Sequence, residues 1–236
     1  DAGIVWEKQP FRHVAYFEAK AALEFEQYQY LSAGKPKETI NLQALSDHTD
    51  AAYILKKLQE TCLALTHQTV YKAEYDFGLL EAALQHYRSS AKLQSIPALQ
   101  LYYHCYLLLT QPEDDAPFDT FKSLLLSHAG LLPEEEQRNL HLLAINFCIR
   151  KINQLQQRFF REALDLYQSA LKAGLLLEKG RLSHLAYNNI VAIALKVGEA
   201  DWAETFIRDY VALLEDKHAR GTFHLNLARV FYLRKQ

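Results

Sequence analysis

Apolar residues recur along this chain at helical spacing, interrupted by short polar or Gly/Pro breaks. The stretch "AYNNIVAIALKVGEADWAETFIRDY", Ala186 to Tyr210, is representative: one apolar stripe ends near Gly198 and a second begins after it. Apolar positions at i, i+3, i+4 and i+7 mark an amphipathic helix, and a glycine between two such stripes marks the turn. Read this way, the whole chain predicts about ten helices. The first, "FRHVAYFEAKAALEFEQYQYL", follows Pro10 and runs to a break at 32–38. A long amphipathic stretch spans Leu42 to Thr66, and "EYDFGLLEAALQHYRSSAKL" covers 74–93. Pro97 stands at a first helical position, where its missing N–H costs nothing. "FDTFKSLLLSHAG" closes on Gly130, a C-cap residue. "LPEEEQRNLHLLAINFCIRKI" opens with Pro133 and three glutamates, whose charge suits a helix N-terminus. Later helices are expected near 158–174, 182–197, 200–214 and 219–235. "GLLLEKGR", Gly174 to Arg181, reads as a helix end, a turn and the next helix start, and no strand pattern emerges. The expected fold class is all-α.

Three of the later helices share a triplet: Asn146-Phe147-Cys148, Asn189-Ile190-Val191 and Asn226-Leu227-Ala228, at steps of 43 and 37 residues. Cys62 and Cys105 extend the 43-residue step backwards without the asparagine. A small residue where two helices cross lets their backbones approach, and a large neighbour fills the groove beside it. A helical hairpin cannot bury all its apolar surface alone, so such units stack.

At these residues the chain resembles the tetratricopeptide repeat, a helix–turn–helix of about 34 residues. Asn189, Ile190 and Val191 match the core of that family's first helix, and Gly198 matches its turn. Ala203 matches the first alanine of the second helix, with Phe206 or Ile207 in the aromatic slot and Tyr210 in place of the second alanine. Ala163, Tyr167 and Ala170 match the preceding second helix more closely, and "FHLNLARVFYLRKQ" matches a further first helix without its partner. The period of 37–43 departs from the family's, and its aromatic after the turn is displaced to Trp202. The resemblance implies antiparallel helical hairpins stacked as a right-handed α-solenoid. It covers 140–236, continuous with a helical stack at 1–139 that lacks the motif, and it implies continuation beyond the last helix.

Composition narrows the function classes. Eight glycines and six prolines are too few for the turns of an all-β chain of 236 residues. A net charge of −2 offers no basic footprint for nucleic acid. The longest apolar runs, such as "CYLLL" at Cys105–Leu109, are far short of a membrane span. Three cysteines do not make a disulfide framework and read as buried thiols of a reducing, cytoplasmic compartment. Methionine is absent, whereas ordinary usage would place roughly five in a chain this long. We expect the natural chain to carry methionines that this sequence lacks, with the helical phase shifting at each gap; peptide mass mapping checks this.

Candidate chemistry is sparse. The ten histidines include no H-E-x-x-H and no pair of His or Cys ligands three or four apart. Glycines flanking five residues in "GLLLEKG", with no Lys-Ser/Thr after them, do not make a phosphate loop. "PEDDAP" and "PEEE" lack the alternating oxygen ligands of a calcium loop. The aromatic stripe "YFEAKAALEFEQYQY" reads as core, although Tyr28 and Tyr30, two apart, place at least one ring on the surface. No catalytic residue, metal or cofactor is expected.

The resemblance implies binding of a protein or peptide partner in a concave groove lined by first helices. Groove positions of that family fall on Asn188, Ala192, Leu195 and Lys196 in one hairpin and on Arg229 and Tyr232 in the next. Asn189 and Asn226 are read as structural residues that bond backbone between repeats, in preference to ligand contacts. The family's carboxylate clamp is not expected, because Asn188 and Ala192 occupy its positions. The alternative is a regulatory sensor that closes around a small peptide or controls an attached output domain.

Overall fold

The computed structural model describes residues 11–34, 42–214 and 216–234. Pro10, the part of the predicted break from 35 onward and residue 235 lie outside them. The regular secondary structure of the described residues is helical apart from one two-stranded hairpin, so the all-α expectation holds. The chain divides into two compact units at Pro133/Glu134, and residues 139 and 140 lie inside one continuous helix, Glu134–Asn153.

In the first unit, α1 (Val14–Gly34) packs along α2 (Leu42–Tyr71), and α2 also carries α3 (Leu80–Ser89) and α5 (Pro97–Thr110). The short α4 (Ala91–Gln94) starts at Ser90, whose Oγ accepts the Leu93 N–H at 3.3 Å. Ser90 is thus the end of one helix and the cap of the next, and the single helix expected over 74–93 is two. Pro97 opens α5 as expected. Helix α6 (Ala116–His128) packs on α5 and passes directly into a 3₁₀ turn at Ala129–Leu131. Gly130 therefore sits inside that turn and does not act as a C-cap. The core is built from Leu55 and Leu58 of α2, Leu99 and Cys105 of α5, and Phe118 and Phe121 of α6. Cys62 and Cys105 meet across the α2–α5 contact, and that contact with burial pushes the Cys62 thiol well up. The N-terminal aromatic stripe is not core: Phe17 is buried, whereas Phe25 and Tyr30 are exposed, Tyr30 by 81%. Helix α1 packs mainly against α2, so one face of it is covered, Tyr16 and Tyr28 are half-buried, and Phe25 and Tyr30 meet water.

In the second unit, α7 (Glu134–Asn153), α8 (Arg158–Lys172), α9 (His184–Lys196), α10 (Ala200–Tyr210) and α11 (Asp216–Arg234) each pack on the next. Helix α9 also packs on α11. Helices α8 and α9 end in the same way. The Leu175 N–H reaches the Ala170 carbonyl at 2.9 Å and Gly174 that of Leu171, with Gly174 at φ +73°. At the end of α9, Glu199 bonds Ala194 at 2.9 Å and Gly198 bonds Leu195, with Gly198 at φ +83°. Both are Schellman closures, which need a left-handed residue that glycine supplies without strain.

Helix α7 ends with the same bonds, Gln156 to Lys151 and Leu155 to Ile152, but its left-handed residue is Leu155 at φ +65° and 80% exposed. A leucine there carries Cβ strain with little burial in return. Leu155→Gly is expected to stabilise the protein by about 0.5–1 kcal/mol, offset in part by the extra freedom of the unfolded chain. Chemical denaturation checks this, and a loss of stability would contradict it.

Between α8 and α9 the chain forms a hairpin that sequence reading does not anticipate. Strands β1 (Leu177–Glu178) and β2 (Arg181–Leu182) pair antiparallel, Leu177 opposite Leu182. Lys179 and Gly180 both have positive φ, +52° and +76°, the backbone of a tight type I′ turn. Two-residue strands are too short to display a period of two, so no hydrophobic signal announces them.

Candidate functional site

Helix α9 is capped by Ser183, whose Oγ accepts the Ala186 N–H at 3.1 Å. Its buried face carries Tyr187, Ile190, Val191, Ile193 and Ala194. Tyr187 spans the hairpin: its hydroxyl donates to the Ile207 carbonyl at 2.8 Å, and its ring lies 5.1 Å from Phe206. Ile207 is in the last turn of α10, where helix carbonyls lack intrahelical donors, so the phenol satisfies one that would otherwise be orphaned. Of the residues matched to the family's second helix, Ala163, Tyr167 and Ala170 on α8 and Ala203, Phe206 and Ile207 on α10 are buried, and Tyr210 is half-buried.

A polar ladder joins α9 to α11. Asn226 Nδ2 donates to Asn188 Oδ1 at 2.8 Å and to its own helix at the Thr222 carbonyl at 3.0 Å. Arg229 Nη1 donates to Asn226 Oδ1 at 3.2 Å, and Asn188 Nδ2 donates back to the His184 carbonyl at 3.1 Å. Asn226 is fully buried, so this is a satisfied polar group inside a helix interface. Breaking it leaves desolvated groups unpaired, which costs more than the bond itself contributes. Asn226→Ala is expected to cost about 1–3 kcal/mol. A double-mutant cycle with Asn188→Ala should give a coupling of about 0.5–1.5 kcal/mol, and additive losses would show that the two side chains do not act together.

The ladder changes the register of the repeated triplet. Phe147 and Cys148, like Ile190 and Val191, are buried, but in α11 Ala228 is exposed and Asn226 is buried. The buried positions of α11 follow those of α9 at a step of 36: Ile190 corresponds to Asn226, Val191 to Leu227 and Ala194 to Val230. Asn226 thus occupies an interface position, while Asn146 is exposed and Asn189 is half-buried and bonded to Tyr167. Matching the three asparagines by residue type hides this slip of one position. The interhelix partner of Asn226 is a side chain, Asn188 Oδ1, and not the backbone of the neighbouring helix.

The six residues expected in a groove separate into two groups. Asn188 and Arg229 are drawn into the ladder through Asn226. Ala192 and Lys196 lie one turn apart on exposed surface of α9, with Leu195 half-buried beside them. Tyr232 is 65% exposed on α11. With the corrected step, the counterparts of Ala192, Leu195 and Lys196 on α11 are Ala228, Phe231 and Tyr232, and all three are exposed. Phe231, 44% exposed, is the residue that sequence matching missed. His224, Leu225, Ala228, Phe231 and Tyr232 share about a third of the circumference of α11, opposite its buried Thr222, Asn226 and Val230. This strip carries no charged side chain. Arg220, Arg229 and Arg234 flank it, and Arg234 is held by Glu204 and Asp201 of α10 at 2.6 Å.

The His184 imidazole contacts the Thr222 hydroxyl, a pairing of the kind that activates a nucleophile when it faces a substrate. Thr222 is only 5% exposed and the ring is shared with Asn188, so the pair serves the α9–α11 interface. Among the described residues, no group of three or more His, Cys, Asp or Glu could hold a metal ion, and no helix is long and apolar enough to cross a membrane. Burial lowers the pKa of His141, whose Nδ1 contacts the Gln137 carbonyl, and keeps the ring neutral within the core. Compared with known protein families, curated proteins and solved structures, the chain matches none.

Proposed function

We propose that this protein is a non-enzymatic interaction scaffold whose second unit forms tetratricopeptide-like hairpins of a right-handed solenoid and binds a protein or peptide partner across α9 and α11. The observation that carries this reading is the strip of α11 that exposes Phe231 and Tyr232, together with Ala192 and Lys196 exposed on α9. Exposed aromatics in a contiguous apolar strip are the residues most often found at the energetic centre of a protein interface. Support also comes from the neighbour-to-neighbour packing of α7 to α11, the Schellman turns, and the buried alanines and aromatics of α8 and α10. A preformed helical surface loses little ordering entropy on binding.

Affinity capture with the intact chain and a Phe231→Asp/Tyr232→Ala variant tests the reading. Arg229 is left intact because it holds Asn226. We expect a specific partner to be lost, by about tenfold or more in affinity, with helicity unchanged. Retention of the partner by a folded double variant would remove this surface from the proposal. The second reading, a sensor of a small ligand, is favoured by a cleft at the β1–β2 hairpin.

A further inference from the structure

The hairpin and its neighbours line an open cleft of about 660 Å³ in the second unit, within the size range of small-molecule sites. Its lining is divided in chemistry. Leu142 of α7, Leu175 and Leu176 after α8, Leu182 of β2 and Leu214 after α10 supply an aliphatic floor. Arg138 of α7, Lys179 of the hairpin turn and Arg181 of β2 bring three cations, against one carboxylate, Glu178. The geometry holds two of the cations in place. Arg138 pairs with Glu178 at 3.5 Å, and Arg181 Nη1 donates to the Leu214 carbonyl at 3.1 Å. Lys179 is carried at the tip of a two-residue turn, so the hairpin sets its position. A locally cationic cleft stands out in a chain whose net charge is −2.

We propose that this cleft binds an aliphatic carboxylate, with its acid group among Arg138, Lys179 and Arg181 and its hydrocarbon on the leucine floor. Charge-assisted hydrogen bonds to guanidinium and ammonium groups are strong and directional, and they act here beside apolar walls that lower the local dielectric. Leu142, 37% exposed, is the leucine whose surface a hydrocarbon would cover and a hydrated anion would not, and a neutral hydrocarbon would leave the cations without a charged partner from the ligand. The first turn of α9 borders the cleft, but Ser183 already caps it, so the side-chain cations supply the recognition. The same chemistry has two sources, a free aliphatic acid and the C-terminal carboxylate of a peptide ending in an apolar residue. The site is separate from the α9–α11 strip and does not depend on what that strip binds.

Titration calorimetry on the full chain tests the proposal with octanoate, octanamide, inorganic phosphate, and the peptide acetyl-Ala-Ala-Leu as free acid and as amide. At least one acid should bind one-to-one, about tenfold or more tighter than its amide and tighter than phosphate. Tighter binding of octanoate assigns a free acid as the source; tighter binding of the peptide acid assigns a chain terminus. Lys179→Gln, which leaves the Arg181–Leu214 bond in place, should weaken binding several-fold, and Lys179→Gln/Arg181→Gln should weaken it by about tenfold or more. The proposal is overturned if neither acid binds at about 1 mM, if amide or phosphate binds as well as acid, or if folded Lys179→Gln binds unchanged.

Discussion

Replacement of Tyr187 by alanine is expected to destabilise the second unit by about 4 kcal/mol. The side chain is fully buried, lies against Phe206 and donates its hydroxyl to Ile207. Truncation removes a large apolar contact, opens a cavity at the α9–α10 crossing and leaves the Ile207 carbonyl without a donor. Tyr187→Phe separates these effects: it keeps the ring and loses only the hydroxyl, and should cost about 1–2 kcal/mol. Trp202, which stacks on Phe206 at 5.5 Å, gives a local readout of this packing. Urea denaturation followed by Trp202 fluorescence in a Trp6→Phe background measures both losses. A cost below about 1 kcal/mol for the alanine variant would mean that the crossing collapses into the space the ring leaves.

Alkaline pH should unfold the protein through its buried phenols. Burial pushes the pKa of Tyr187 up to about 12, and burial together with neighbouring Tyr103 does the same for Tyr87. An unfolded tyrosine titrates near 10. Between those values the unfolded chain releases protons that the folded chain keeps, so stability falls as pH rises. The contribution is fully present below pH 10 and is lost as pH passes through about 12. A phenol that titrates near 12 when folded and near 10 when unfolded contributes roughly 2–3 kcal/mol. That is a large share of a typical stability of about 5–15 kcal/mol. Tyr87 lies in the first unit and Tyr187 in the second, so each unit carries its own alkaline trigger. Denaturation midpoints from about pH 8 to 12 should be flat and then fall steeply above about 10, with the Trp202-reported fall shallower in Tyr187→Phe. An identical alkaline profile in that variant would place the sensitivity elsewhere.

The candidate surface is only partly legible in the sequence. Ala192, Lys196 and Tyr232 are exposed and Leu195 is half-buried, whereas Asn188 and Arg229 are engaged in the ladder. Sequence matching passes over Phe231 because aligning asparagine with asparagine puts α11 one residue out of step. One residue turns a helix by about 100°, enough to exchange an interface position for a solvent one. The cleft is not legible at all. Its cations come from α7 and from a hairpin about forty residues further along the chain, and no local spacing records that meeting.

The helices belong to the sequence: their apolar periodicity, Pro97 at the start of α5 and the left-handed glycines at 174 and 198 are local properties of backbone and side chain. Periodicity reveals that a face is apolar without saying what covers it. Packing decided that Phe25 and Tyr30 of α1 meet water while Phe17 is buried, that Asn226 is buried while Asn146 is exposed, and that Lys179 and Arg181 line one cleft with Arg138. Those outcomes depend on contacts between residues distant in the chain, and such contacts form only when the helices assemble.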